Sequence, residues 1–169
     1  MTTMTEVAGS THVYRVFIKA TPERIWEAIT SPEWNNRYGF HTVSAFELQP
    51  GGTFRAYASA EMKAYDPSAP DVMVDGEVIE VDPPRLLVQT YRFLFSPELI
   101  EEGFTRVIYE IEPEETLPGT TRLTVTHVAE NAPLTATIIA GENPEAGGGF
   151  PLILSDLKTY LETGKAFGE

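Results

Sequence analysis

The C-terminal stretch Gly149-Phe150-Pro151-Leu152-Ile153-Leu154-Ser155-Asp156-Leu157-Lys158-Thr159-Tyr160-Leu161-Glu162-Thr163-Gly164 limits what this chain can become. Phe150, Ile153, Leu154, Leu157 and Leu161 recur at helical spacing and share one face. Gly147, Gly148 and Gly149 break whatever precedes the helix, and read as a hinge or cap. Pro151 falls in the first turn, where no backbone N–H is needed, and Gly164 follows the last apolar position. Asp156, Lys158, Thr159 and Glu162 lie mostly off the apolar stripe. Such a helix spans roughly 20 Å. Each large apolar side chain it buries contributes about 1.5–3 kcal/mol. It therefore needs a partner surface, and the residues before it read mostly as strands.

Residues 1–11 are small and polar and are expected to be disordered; residues 12–165 read as one domain. His12 to Ile18 is a first strand. Thr21-Pro22-Glu23 and Ser31-Pro32-Glu33 each carry a cap followed by proline, so two short helices follow, the second bearing Trp34 and Tyr38. Six strands come next: 42–48, 53–58, 72–81, 86–95, 105–112 and 120–128. Residues 59–71 fit no pattern, with a loop at 65–70, and residues 96–103 read as an acidic loop. Within 129–148, Leu134 to Ala140 suits a short helix and Glu142 to Glu145 a flexible lead-in. Short turns between successive strands favour an antiparallel sheet, whose apolar face the last helix must cover. The class is α+β, and a cavity between sheet and helix is expected.

The charge balance, 12 Lys and Arg against 25 Asp and Glu, gives a net charge of −13. Nucleic-acid binding rests on basic phosphate contacts, so no nucleic-acid partner is expected. No polybasic membrane anchor is present, and no apolar run approaches the roughly 20 residues of a membrane span. The first residues lack a signal-peptide pattern, and a cytoplasmic location is expected. Absence of cysteine removes disulfides and thiolate chemistry. His12, His41 and His127 show no metal-ligand spacing, so neither metal nor cofactor is expected.

Alternation puts Val107, Tyr109 and Ile111 on one face of their strand, and Leu123, Val125 and His127 on one face of the next. If those faces are inner, His127 is either a general base or polar anchor in a pocket, or a buried histidine paired to backbone. Tyr109 either points its hydroxyl into the cavity or packs as ordinary core. Arg92 is assigned to the solvent face beside Thr90 and Gln89. Glu110 and Glu112 oppose the Tyr109 face and are expected to be solvated. Tyr109, Val125, His127, Ile153 and Leu157 are the candidate ligand-binding residues, and no catalytic residue is identifiable.

Five pieces of sequence, in order, carry a resemblance. They are Ile18 to Thr30, Pro50-Gly51-Gly52-Thr53-Phe54, Gly76 to Leu86, Thr121 to His127 and Leu157 to Gly164. Together they resemble the START-related helix-grip (SRPBCC) superfamily, in the branch related to the activator of the heat-shock chaperone ATPase. The resemblance implies a curved antiparallel sheet wrapped around a long C-terminal helix, with two short helices after strand one. Many relatives have Trp where this chain has Tyr91 and Phe150. The resemblance implies, first, binding of a small hydrophobic, aromatic or amphipathic ligand. It also admits a polyketide cyclase or aromatase using His127 and Tyr109. A third implication is a co-chaperone-like module that binds a chaperone or itself.

Overall fold

The computed structural model describes residues 11–140 and 148–169. Seven strands form one sheet: β1 (Thr11–Ile18), β2 (Val43–Phe46), β3 (Thr53–Tyr57), β4 (Val72–Asp82), β5 (Leu86–Phe93), β6 (Thr105–Pro113) and β7 (Thr121–Val128). Their order is β1-β7-β6-β5-β4-β3-β2, and every pairing is antiparallel. The helices are α1 (Pro22–Thr30), α2 (Pro32–Asn35), α3 (Ala60–Tyr65), α4 (Pro97–Glu102), α5 (Pro133–Ile139) and α6 (Gly149–Thr163). This is the α+β helix-grip architecture that the resemblance implies.

The start signals act as their chemistry dictates. Thr21 Oγ1 accepts from the Arg24 N–H, and Pro22 opens α1. Ser59 and Ser96 cap α3 and α4 in the same way. The expected loop at 96–103 is therefore a helix, and its Ser96-Pro97-Glu98 start repeats Ser31-Pro32-Glu33. With only six residues it shows no apolar stripe. Helix α3 likewise occupies residues that fit no pattern. Thr11, expected to be disordered, begins β1; residues 1–10 and the lead-in 142–145 lie outside the described residues.

The inner sheet face carries Ile18, Leu87, Val107, Ile111, Leu123 and Val125, all buried in one core with Leu154 and Leu157 of α6. Strand β4 crosses β5 closely at Gly76, where a Cβ would fall 1.9 Å from the Thr90 carbonyl oxygen. Only glycine fits there.

The face of α6 departs from the expected stripe. Tyr160 joins Phe150, Leu154 and Leu157 among its buried residues, while Ile153 and Leu161 are half-buried. Asp156 is buried too, contrary to its placement off the stripe. Its carboxylate accepts from the Gly39 N–H at 2.7 Å and the Phe167 N–H at 2.6 Å. Hydrogen bonds to a buried carboxylate are charge-assisted, and removing it orphans both amides. Lys158 is more exposed; its ammonium donates to the Phe17 carbonyl and pairs with Glu162.

Asp156→Ala is expected to cost about 2–4 kcal/mol, from two stranded donors. Leu157→Ala is expected to cost about 2–5 kcal/mol, and Lys158→Ala less than about 1 kcal/mol. Urea melts measure all three. Equal midpoints for Asp156→Ala and Lys158→Ala would show that the carboxylate does not hold these segments.

Candidate functional site

The site is built by strand parity. Tyr109 and Val125 are direct cross-strand partners, and His127 follows Val125 by two residues on the same face. All three are buried, and His127 has no exposed surface. Leu157 closes on the same core from α6. Ile153 stands aside, half-buried against Gly39. Four of the five candidate residues thus share one interior, and the fifth flanks it.

Phe150, in the first turn of α6, lies over the centre of this face. Its ring centroid is 5.7 Å from that of Tyr14, 6.3 Å from Tyr91, 6.4 Å from Tyr109 and 6.0 Å from His127. The contacts to His127 and Tyr109 are edge-to-face, a favoured arrangement for π-systems. The chain reaches Phe150 through Gly148 and Gly149, both at positive φ. Helix α5 closes one side, since the Tyr14 hydroxyl donates to the Ile139 carbonyl at 3.0 Å.

His127 sits among groups that make ionisation costly. Burial, and secondarily nearby His12, hold its pKa down to about 4. Nε2 lies 2.7 Å from Thr105 Oγ1, and that hydroxyl also donates to the Tyr91 carbonyl at 2.8 Å. Nδ1 is buried and has no hydrogen-bond partner among the described residues. Burial raises the phenols of Tyr91 and Tyr109, so both remain neutral donors at ordinary pH.

Gln89 belongs here and not beside Arg92 on the solvent face. It is fully buried, its Nε2 donates to the Thr90 carbonyl at 3.2 Å, and its Oε1 is unpartnered. Its parity with Leu87 and Tyr91 is the sequence signal that places it inward. Arg92 does face outward, with its guanidinium clamped on Asp75 at 2.8 and 3.0 Å and stacked over Phe104. His12, cross-strand neighbour of His127, also has a buried, unpartnered Nε2. Parity with Tyr14 was the signal for that residue.

The opposite face of the sheet presents an open groove of about 300 Å³ lined by Arg15, Glu110, Glu112, Arg122 and Thr124. Arg122 bridges Glu112 and Glu114, and Arg15 donates to Thr124. Its charges largely answer one another and offer little to an apolar molecule. Glu110 is exposed and Glu112 half-buried in that ion pair. Among the described residues no helix is long and apolar enough to cross a membrane.

The architecture recurs in solved structures. CalU16 from Micromonospora echinospora superposes with a TM-score of 0.61 at 18% identity, over 91% of this chain and 77% of that one. DynU16, from the dynemicin biosynthetic locus, gives 0.62 at 21% identity over 93% of this chain; the match spans 49% of DynU16. Aha1 from Colwellia psychrerythraea, solved as a dimer, gives 0.60 at 17% identity over 92% of this chain and 98% of its own. At such identities the likeness is one of fold. No curated protein matches the sequence. The family of Activator of Hsp90 ATPase homolog 1-like proteins matches residues 19–162, from the end of β1 almost to the end of α6. The chain belongs to that family, within the SRPBCC helix-grip superfamily.

Proposed function

We propose that this protein binds a small apolar or aromatic molecule between the concave sheet face and the first turn of α6. One observation carries the reading: His127 is completely buried and yet leaves Nδ1 without a partner. An unsatisfied buried polar atom costs about 1–3 kcal/mol, which an apolar residue of similar shape would avoid. A bound molecule would meet that atom. The rings of Tyr14, Tyr91, Tyr109 and Phe150 around it suit an aromatic or amphipathic body. Phe150 occupies that space, so binding in this reading requires its ring to turn aside. DynU16, which shares the fold, comes from the dynemicin biosynthetic locus, a setting in keeping with this reading.

A polar anchor fits His127 better than a general base. Efficient general bases have pKa values near the working pH, whereas burial holds this imidazole to about 4. Among the described residues no carboxylate hydrogen-bonds it, and its polar partner is the Thr105 hydroxyl.

An apolar dye such as 8-anilinonaphthalene-1-sulfonate is expected to bind the folded protein saturably. Val125→Trp, which fills the interior, is expected to weaken that binding at least about tenfold if the fold survives, since overpacking displaces neighbours. Unchanged dye affinity in a folded Val125→Trp variant would place the binding elsewhere.

The depressed pKa also gives a stability prediction. Between about pH 6.5 and about pH 4 the unfolded imidazole holds a proton that the folded one does not. Acidification through that window therefore favours unfolding, by about 1.4 kcal/mol per pH unit from this residue. Urea melts at pH 6.5, 5.5 and 4.5 should show a shallower pH dependence in His127→Leu than in the unsubstituted protein. Parallel curves would mean that His127 titrates normally in the fold.

A further inference from the structure

Among the described residues, four buried side-chain polar atoms lack a hydrogen bond: His12 Nε2, Arg24 Nη1, Gln89 Oε1 and His127 Nδ1. Arg24 still has the Glu27 carboxylate at 3.5 Å. The other three fall on one line. The sheet register runs Gln89 to Val107, Val107 to His127, and His127 to His12 across β5, β6, β7 and β1. Every one of these side chains points to the inner face.

The proton inventory fixes what two of these atoms are. The Thr105 hydroxyl has one hydrogen and gives it to the Tyr91 carbonyl, which can only accept. The contact from Thr105 Oγ1 to His127 Nε2 must therefore be donated by the imidazole. Nε2 carries the proton, and Nδ1 presents a bare lone pair to the interior. Gln89 is settled by the Thr90 carbonyl beside its amide nitrogen. A flipped amide would set two oxygens against each other, so Oε1 is the free atom. Both are acceptors. The two side chains stand on strands two spacings, roughly 10 Å, apart, with Val107 on the strand between them. A buried water needs two to four polar partners of its own.

We infer that the molecule this interior takes is an aromatic carrying at least one hydroxyl donor, a phenol-like compound, whose O–H is delivered to His127 Nδ1. The inference rests on the binding reading above and adds the polarity of the ligand to it. An ether, a ketone or a plain hydrocarbon of the same shape would leave the lone pair stranded, and a carboxylate would oppose it. Phe150, whose ring meets His127 edge-on at 6.0 Å, holds the place such a ring would take.

Three probes of one shape test this on the full chain: 2-naphthol, 2-methoxynaphthalene and naphthalene. 2-Naphthol is expected to bind about tenfold tighter than either of the others, the worth of one buried acceptor satisfied. In His127→Leu the ratio of 2-naphthol to naphthalene affinity should fall to about one. A second readout needs no substitution. In protein labelled with ¹⁵N at histidine, the His127 Nδ1 resonance should show an unprotonated, unbonded nitrogen without ligand. It should move upfield when 2-naphthol saturates the site. If all three probes bind equally, or Nδ1 does not move, the donor inference falls while aromatic binding stands. If none binds, the binding reading itself falls, and this inference with it.

Discussion

An open antiparallel sheet with one apolar face must be covered, and in this protein α6 does so together with α1, whose Ile25, Ala28 and Ile29 are buried in the same core. The burial of Leu154 and Leu157 against Val107, Leu123 and Val125 is the contact on which the rest depends. With α6 in place, β1 gains partners along the helix, through Lys158 to Phe17 and Glu162 to Lys19. The outer face needs no such cover, because its arginines and carboxylates pair among themselves. The two faces of the sheet thus divide the labour: one makes the core, the other meets water.

That arrangement also explains why polar groups inside are so exposed to consequence. In the interior beneath α6, each donor or acceptor must find a protein partner or remain alone. Tyr38 succeeds, its hydroxyl donating to the Ala28 carbonyl, and Thr121 succeeds through the Ala20 carbonyl. His127 and Gln89 are half satisfied, one polar atom each. The contrast between these pairs, on one continuous surface, is what the proposed binding reading rests on.

Much of this was legible from residue spacing. The strict alternation of β6 and β7 placed Tyr109, Val125 and His127 inward, and the proline-led caps placed α1 and α2. Strand β5 was harder, because Leu86-Leu87-Val88 gives no polar rhythm to count from. Gln89 and Arg92 differ by three positions and so must face opposite ways, a parity that chemical similarity obscured. Asp156 was unreadable for another reason. Its two donors are backbone amides of Gly39 and Phe167, and a backbone amide leaves no mark in a sequence. Helix α4 carried its start signal openly, but six residues are too few to show a periodic face.

The sheet order puts the first strand beside the last, with β1 paired along its length to β7. Gly39 likewise waits for a carboxylate 117 residues further on. Neither contact can form until the second half of the chain has been made. During synthesis the apolar inner face of β1 stays uncovered while β2 to β6 emerge. Closing such long loops is entropically slow. This architecture therefore delays closure until β7 and α6 are both present, and the interval before closure is when the chain is most open to self-association or capture by other proteins.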